Sequence, residues 1–324
     1  MMEQLDIIAL SHMKGMTSAF LKKNWQGLVS ATSAEDFLER IQYVQKDTLN
    51  ANRDLAAHII QKCAHLGVQI IDVSMPSYPA MLKDIGTPPS VLYTLGDVSL
   101  LDRVVGIIGT RHSTNLGNKI AQRIGEYFSE HLSVCNGLVE GIDEHVFRRQ
   151  GLITKNVVGV ASGGLDYGNT CSTSHAHNIA EALDAGGLVV SEFDPDQKED
   201  RFSGIKASRI QAGLSMGLIL VQSSVDGGSK YTISEFSRLG RILGVVQYKD
   251  AQEYGTDVFG ANRLILEEKE HGLAKLAGKQ TTNSVSVKEI IPISGKSDYD
   301  RFLKALGGNH NGDKGLEEQM LTIF

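Results

Sequence analysis

The sequence predicts an α/β fold: an extended Rossmann-like, mostly parallel sheet with helices on both faces, preceded by a small helical N-terminal domain. Three observations predict it. From Val104 onward, apolar runs of four to six residues alternate with helical patterns as far as Lys269. Those runs carry no polar alternation, the mark of strands covered on both faces. The loops that follow them are rich in glycine, as at the carboxyl edge of such a sheet. The 324 residues suffice for two domains, or one large domain with appendages. The expected boundaries are 1–75 for a helical domain of SAM or helix-hairpin-helix type, 76–275 for the Rossmann core and 276–324 for a C-terminal extension of unassigned role.

Residues 1–67 read as wholly helical. Leu5, Ile7, Ile8 and Leu10 start one helix, the stretch around Gly15 breaks it, and Thr17 or Ser18 caps the next. Ser33 before Ala34-Glu35-Asp36 is a further N-cap with acidic residues in the first turn. Asp47 to Leu66 is one amphipathic helix, with Leu55, Ile59, Ile60 and Cys63 expected on its buried face. The glycine turn at Gly15 fits a helix-hairpin-helix, but its loop carries only Lys14 as a cation, so a plain helical bundle is preferred.

Val68–Ile71 reads as a strand, Ser77–Lys83 as a helix with proline in its first turn, and Val91–Gly96 as a strand. The core then reads as strand–helix pairs: Val104–Ile108 with Asn115–Glu130, Ser133–Asn136 with Asp143–Arg149, and Val157–Ala161 with Ser174–Ala185. Leu188–Ser191 with Lys206–Leu214, Leu218–Gln222 with Lys230–Leu239, and Ile242–Val246 with Val258–Lys269 complete the series. Beyond residue 276 the alternation fades. Val285–Ile293 reads as a strand pair or an edge segment, and Gly307–Gly312 as flexible.

Composition excludes some classes. A net charge of −6 carries no global basic signature, so a nucleic-acid partner would need a local cationic patch. Three cysteines, an odd number without paired metal spacing, argue against a disulfide framework and fit a reducing, cytoplasmic compartment. Neither a signal peptide nor a membrane span is expected.

The chemistry gathers on the loops after the strands. In Val104–Gly117, an apolar strand runs into Gly109-Thr110-Arg111 and then opens a helix, an arrangement that aims backbone N–H groups and a helix N-terminus at an anion. Arg111 adds a forked, fixed positive charge. Asn136–Gly141, Ser162-Gly163-Gly164, Ser191-Glu192-Phe193 and Gly227-Gly228-Ser229 fall at the same edge. Four of these five loops are glycine-rich, and together they predict a phosphate-lined groove. Asp143 is expected to cap its helix or to hold the glycine loop.

The order of these loops resembles the DNA-processing protein A family (DprA, also called Smf). Tyr78-Pro79 with Leu82, then Ile85 to Tyr93, resembles that family's "YP..L..I.dPP.vLy" opening. Val104–Gly117 is similar to "vaiVGtR.aS.yG", Gly137–Asp143 to "sGlArGID", and Ser191-Glu192-Phe193 to "SEy". Ser208–Ser215 is similar to "NRIIAGLS", Gly228–Thr232 with Gly240-Arg241 to "SGsliTa…GR", and Gly260–Ile265 to "GsNrLI". The resemblance runs from about residue 76 to 268. It implies an extended Rossmann fold with a single-stranded DNA groove, commonly a homodimer, and in well-studied members delivery of DNA to the RecA recombinase. From the loops, their cations and this resemblance together, the expected phosphate-binding residues are Gly109, Thr110, Arg111, Ser113, Gly137, Gly141, Gly163, Lys206, Arg209, Gly228, Ser229, Lys230 and Thr232. No catalytic residue, metal or cofactor is expected.

The chain also departs from the family pattern. Glu140 stands where "ARGID" has arginine, Ala207-Ser208-Arg209 replaces "RNR", Phe147 replaces a histidine, and Gln222 replaces a glutamate. Lys155, Lys206, Lys230, Arg148 and Arg149 are the cations that could compensate. The expected function is therefore a divergent, non-catalytic single-stranded DNA-binding protein of DNA processing or recombination, or of a phage-defence or toxin–antitoxin system. Its protein partner would be a recombinase or an operon-encoded toxin or effector.

Two alternatives stand beside it. One is a nucleotide sensor or N-glycosidase, because Gly227–Glu235 loosely resembles the loop of LOG-type phosphoribohydrolases, with Glu235 as the carboxylate. The other is an interaction module that has lost DNA binding. Cys171-x3-His175-x-His177 lacks a second cluster and reads as a polar helix start capped by Ser174. Ser162, Asp166 and His175 lack an elbow motif. Tyr167, Phe193 and Tyr231 are the aromatics available for base stacking.

Overall fold

The computed structural model describes residues 2–44, 48–149, 152–248 and 252–307, with the side chains of Arg149 and Leu152 outside the description. The glycine-rich segment from Gly308 to Gly312 also lies outside the described residues.

Five helices come first: α1 (Gln4–Ser11), α2 (Ser18–Lys23), α3 (Trp25–Ser30), α4 (Ala34–Arg40) and α5 (Leu49–Leu66). Thr17 caps α2 by accepting from the Phe20 amide, and Ser33 caps α4 by accepting from the Asp36 amide. The buried face of α5 is Leu49, Ala56, Ile59 and Cys63, while Leu55 is 40% exposed. The buried face is thus shifted from the expected one, with Ala56 in and Leu55 out. Gly67, at φ +70°, ends it in the left-handed conformation.

β1 (Gln69–Asp72) and β2 (Val91–Gly96) pair antiparallel. Between them Pro79 opens a 3₁₀ turn, Ala80–Asp84, instead of the expected α-helix. The main series follows: β3 (Val104–Ile108), α6 (Asn115–Ser129), β4 (Ser133–Asn136), α7 (Ile142–Val146), the hairpin of β5 (Arg148–Arg149) and β6 (Leu152–Ile153), and β7 (Val157–Val160). Next come α8 (Tyr167–Thr170), α9 (Thr173–Asp184), β8 (Leu188–Ser191), α10 (Ser203–Leu214), β9 (Gly217–Leu220) and α11 (Ser229–Phe236). The series ends with β10 (Arg241–Val246), α12 (Gly260–Glu268), α13 (Glu270–Leu276), β11 (Val287–Ile293) and α14 (Lys296–Ala305).

Three helices differ from expectation. The helix from Asp143 stops at Val146, because buried Phe147 turns the chain inward and its carbonyl accepts from Thr154 in the hairpin at 2.7 Å. Ser172, not Ser174, precedes α9. The helix expected from Val258 opens instead as a 3₁₀ turn, Asp257–Phe259, and becomes α12 only at Gly260; it ends where expected, at Lys269, which sits at φ +53° before α13.

Nine strands form one sheet in the order β1-β2-β8-β7-β4-β3-β9-β10-β11. All neighbours from β8 to β11 are parallel, and β2 runs antiparallel to both β1 and β8. β1, before residue 76, and β11, after residue 275, both hydrogen-bond into this sheet. β11 is an edge strand, which is where its Pro292 is tolerated. The strands β3, β4, β7, β8 and β9 are buried along their whole length, including the polar Ser133 and Asn136 at the ends of β4 and Ser191 at the end of β8.

The core continues from the N-terminal helices into the sheet: Ile8, Leu10, Phe37 and Ile59 belong to one cluster with Tyr93, Val158, Leu188 and Leu214. Polar ties reinforce this seam. Lys62 pairs with Asp166 at 2.8 Å and with Asp196 at 3.0 Å, and His12 pairs with Asp194 at 2.8 Å. Buried Arg241 donates to the carbonyls of Ala212, Gly213, Ser215 and Met81 and pairs with Asp84, so the "GR" arginine joins the end of α10 to the 3₁₀ turn.

The winding positions the site. From β3 the chain moves outward through β4, β7 and β8, then returns across β3 to β9 and winds the other way through β10 and β11. The order reverses between β3 and β9, and a ligand crevice belongs at the carboxyl ends of the strands there.

Candidate nucleic-acid groove

A groove of about 580 Å³ opens at that reversal. Its walls are Gly109–His112 after β3, Gly137, Val139 and Asp143 after β4, and Ser162 after β7. Gly204, Ala207, Ser208 and Gln211 of α10 and the Ser224–Thr232 turn into α11 close it. Two glycines lock the first two loops together. A Cβ on Gly109 would stand 2.5 Å from Ile142 Cγ1. Gly141 sits at φ +87°, and its Cβ would stand 2.4 Å from the Thr110 carbonyl oxygen. The Ile142 amide donates to Thr110 O at 3.0 Å. Gln222 holds the β3 loop from below: its carbonyl accepts from the Thr110 amide at 2.8 Å and its side chain accepts from the Thr114 amide at 3.1 Å. Asp143 accepts from the Gly137 amide at 2.9 Å, and burial pushes its carboxyl up to about 7. It holds the glycine loop, one of its two expected roles.

Seven of the expected residues line this groove: Gly109, Thr110, Arg111, Gly137, Gly228, Ser229 and Thr232. Arg111 is exposed and has no ion-pair or hydrogen-bond partner among the described residues. The amides of Arg111, Gly228 and Ser229 likewise donate to nothing among the described residues. Ser229 is only 6% exposed, and its hydroxyl is buried without a partner. The crevice therefore offers a guanidinium, several backbone donors and an orphan hydroxyl from two facing loops, a set suited to an anion.

The other six stand elsewhere. Gly141 packs behind Thr110, Ser113 lies off the lining, and the carbonyl of Gly163 accepts from Ser191 Oγ at 2.8 Å. Lys206 lies over the Phe193 ring and Lys230 over the Tyr231 ring. Arg209 pairs with Glu192, and the two side chains are 18% and 11% exposed. Its neighbour thus takes the charge that the motif resemblance assigns to phosphate. Of the compensating cations, Arg148 is held by Glu144, Glu181 and Asn178, exposed Lys155 is off the lining, and the Arg149 side chain lies outside the described residues.

Sequence reasoning passed over Arg201, which lines the groove and stacks on Phe202 with its Cζ 4.5 Å from the ring centroid. No motif marks it. Gly204, Ala207, Ser208 and Gln211 were legible in principle, since their spacing of three and four puts them on one helix face. Tyr231 lines the groove at 41% exposure, while Phe193 is buried and Tyr167 packs against the core. Exposed Phe202, Ile205 and Val225 stand on the same loops and helix starts. Glu235, the carboxylate of the glycosidase alternative, accepts from the Gly86 amide at 3.1 Å and is absent from the groove lining.

A second cavity of about 410 Å³ adjoins the groove and shares Arg111, Ser162 and Arg201 with it. Glu140 and Asp200 contribute acidic groups to it. On its wall His175, 3% exposed, faces Glu199, with Nδ1 and Oε2 3.3 Å apart. Cys171 completes a group whose donor atoms lie within 4.8 Å of one another. His177 is not part of it; it is 67% exposed and pairs with Glu181. No helix among the described residues is long and apolar enough to cross a membrane.

Comparison with known proteins agrees with this geometry. Residues 69–285 match the family described as DNA recombination-mediator protein A. The DNA processing protein DprA of Bacillus subtilis is 30% identical over 178 residues, covering 54% of this chain and 59% of that protein. Protein Smf of Synechocystis is 26% identical over 216 residues, covering 64% of this chain and 52% of that protein. The match thus spans little more than half the length of these relatives. Among solved structures, DprA of Streptococcus pneumoniae superposes with a TM-score of 0.58 at 20% identity, covering 81% of this chain and 97% of that one. DNA processing protein A of Helicobacter pylori, whose single-stranded DNA binding mode is the subject of its structure, gives 0.54 at 21% identity over 63% of this chain and 89% of that one. With the profile matched across both walls of the groove and the fold shared, this chain belongs to the DNA recombination-mediator protein A family.

Proposed function

We propose that this chain binds single-stranded DNA along the groove between the β3 and β9 loops and performs no covalent chemistry there. The observation that carries the reading is the facing pair of loops: unpaired Arg111 on one side, the free amides of Gly228 and Ser229 and the orphan Ser229 hydroxyl on the other. Those groups recognise a phosphate without regard to sequence. Tyr231, Phe202, Ile205 and Val225 offer exposed apolar surface to unstacked bases, which duplex DNA does not present. The relatives named above, DNA-processing proteins one of which binds single-stranded DNA, support the same reading.

Fluorescence anisotropy with an oligo-dT strand over a salt series tests it. Binding is expected to weaken with salt, and Arg111→Ala is expected to lower affinity about tenfold and flatten the log–log slope by about 0.7, the value of one single-strand phosphate. Flat anisotropy at low salt, or a slope unchanged in Arg111→Ala, would refute the assignment.

A further inference from the structure

We propose that Cys171, His175 and Glu199 form a binding site for a divalent transition metal of the zinc class, with the open coordination position facing the phosphate groove. The donor set is a thiolate, an imidazole and a carboxylate, the mixture that zinc takes and that magnesium or calcium does not. Zinc at about 2.0–2.3 Å from each donor places tetrahedral ligands about 3.4–3.8 Å from one another. His175 and Glu199 already stand 3.3 Å apart, and all three donors lie within 4.8 Å, so small side-chain rotations close the set.

The scaffold is built without the ion. Cys171 ends α8, His175 lies in the first turn of α9, and Glu199 comes from the loop before α10. That loop is fastened to the same turn by the Glu199 amide, which donates to the Thr170 carbonyl at 2.9 Å. The carboxylate is oriented from outside, as ligating carboxylates are: Oε1 accepts from the Ser172 amide at 2.6 Å and Oε2 from Ser162 Oγ at 2.7 Å. His175 is 3% exposed, and its Nδ1 points into the cluster, 3.3 Å from Glu199 Oε2 and 3.5 Å from Ser162 Oγ, while the opposite nitrogen, Nε2, is buried with no partner among the described residues. On binding, the Cys171 thiol gives up its proton to solvent and the sulfur becomes the ligand.

Three protein ligands leave a tetrahedral ion one position short, the arrangement of sites that bind an exogenous oxygen. His175 and Glu199 line the cavity that also holds Arg111 and Arg201, so that position opens toward the two guanidinium groups of the groove. A phosphate oxygen, or water when no DNA is present, fills it. This last part rests on the DNA-binding reading; the three-ligand site does not.

Cobalt(II) titrated into the full, chelator-treated chain tests the site. One equivalent is expected to bind, with a thiolate-to-cobalt charge-transfer band and intense tetrahedral d–d bands, and zinc is expected to displace it. Cys171→Ser should abolish the charge-transfer band, and His175→Gln and Glu199→Gln should each weaken binding at least tenfold. His177→Ala should change neither, and far-ultraviolet circular dichroism checks that each variant is folded. Absence of the thiolate band in the native chain, or its survival in Cys171→Ser, overturns the site. Oligo-dT added to the cobalt form then separates the two readings. A shift of the d–d bands supports the open position facing phosphate. Unchanged bands with DNA demonstrably bound overturn that placement, and a charge-transfer band with no DNA binding at all keeps the metal while sinking the proposed function.

Discussion

Arg209 gives the sharpest test, because sequence and structure assign it opposite jobs. The motif resemblance makes it a phosphate ligand, whereas the structure pairs it with Glu192 and leaves it off the groove lining. The two side chains are 18% and 11% exposed, and each has one buried atom without a partner, Arg209 Nη1 and Glu192 Oε1. Arg209→Ala strands a carboxylate that burial already pushes upward, with Arg209 the main influence holding it down. Removing one member of a buried pair costs about 3–5 kcal/mol, and the residual exposure moves the expectation to the lower end, about 3 kcal/mol. Urea denaturation followed by circular dichroism measures it. The sign with pH is also fixed. Without its partner, Glu192 has a folded-state pKa raised further above its unfolded value, so the variant is penalised more as pH rises through that interval and recovers part of the loss in acid. In salt-series anisotropy Arg209→Ala should keep the native slope, while Arg111→Ala flattens it. A variant of native stability with a flattened slope would refute the pairing and restore Arg209 to the phosphate.

The remaining expectations follow from the same geometry. Glu140→Arg exchanges an exposed negative charge at the cavity shared with Arg111 for a positive one, and should raise affinity for oligo-dT several-fold and steepen the salt slope by about 0.7 in anisotropy; an unchanged affinity would place DNA away from that cavity. Gly141→Ala puts a side chain at φ +87°, ψ −133°, and 2.4 Å from the Thr110 carbonyl oxygen, so urea denaturation should show a loss of at least about 2 kcal/mol, and a native midpoint would contradict the loop geometry. The side-chain hydrogen bond to Asp194 holds His12 above its ordinary value, so the pair stabilises fully below the unfolded histidine pKa and the stability is lost as pH rises through the raised folded one. Stability measured at about pH 6 and pH 9 should fall by up to about 1 kcal/mol more in the native chain than in His12→Gln, and identical pH profiles would count against the pair.

The strands were legible because their signal is local. β2, β3, β4 and β8 begin and end where the sequence placed them, because a strand buried on both faces is apolar at its centre and its signal lies within its own few residues. Helix ends were less so. Phe147 stops α7 by entering the core, and no residue beside it announces that. The strand order was beyond reach, since it depends on which side of β3 each crossover lands, a property of packing and not of any one segment. Within the site, the glycines were legible as loop residues, but what demands them is tertiary: a Cβ on Gly109 would meet the Ile142 side chain at 2.5 Å, and one on Gly141 the Thr110 carbonyl oxygen at 2.4 Å.

Charge was the part that did not read through, and the reason bears on what the groove can do. Whether an arginine is free depends on acids distant in the chain: Glu192 lies 17 residues from Arg209, and Glu181 lies 33 from Arg148. A motif records the arginine and not the acid that claims it. Once those pairs are removed, Arg111 and Arg201 are the cations lining the groove, and Asp226 on its wall with Glu140 and Asp200 in the adjoining cavity stand against them. Coulombic attraction between this face and a polynucleotide is therefore weak, and steep salt dependence cannot be the source of its affinity. On the proposed reading, the binding free energy would come from groups insensitive to salt: the loop amides, the Ser229 hydroxyl, and the apolar surface of Ile205 and Tyr231 on the lining with exposed Phe202 and Val225 beside it. Bases, which stack only when unpaired, can use such a surface and a duplex cannot, so the proposed function predicts that losing the family's arginines shifts this groove toward single strands, and a competition between oligo-dT and a duplex of equal length tests that preference.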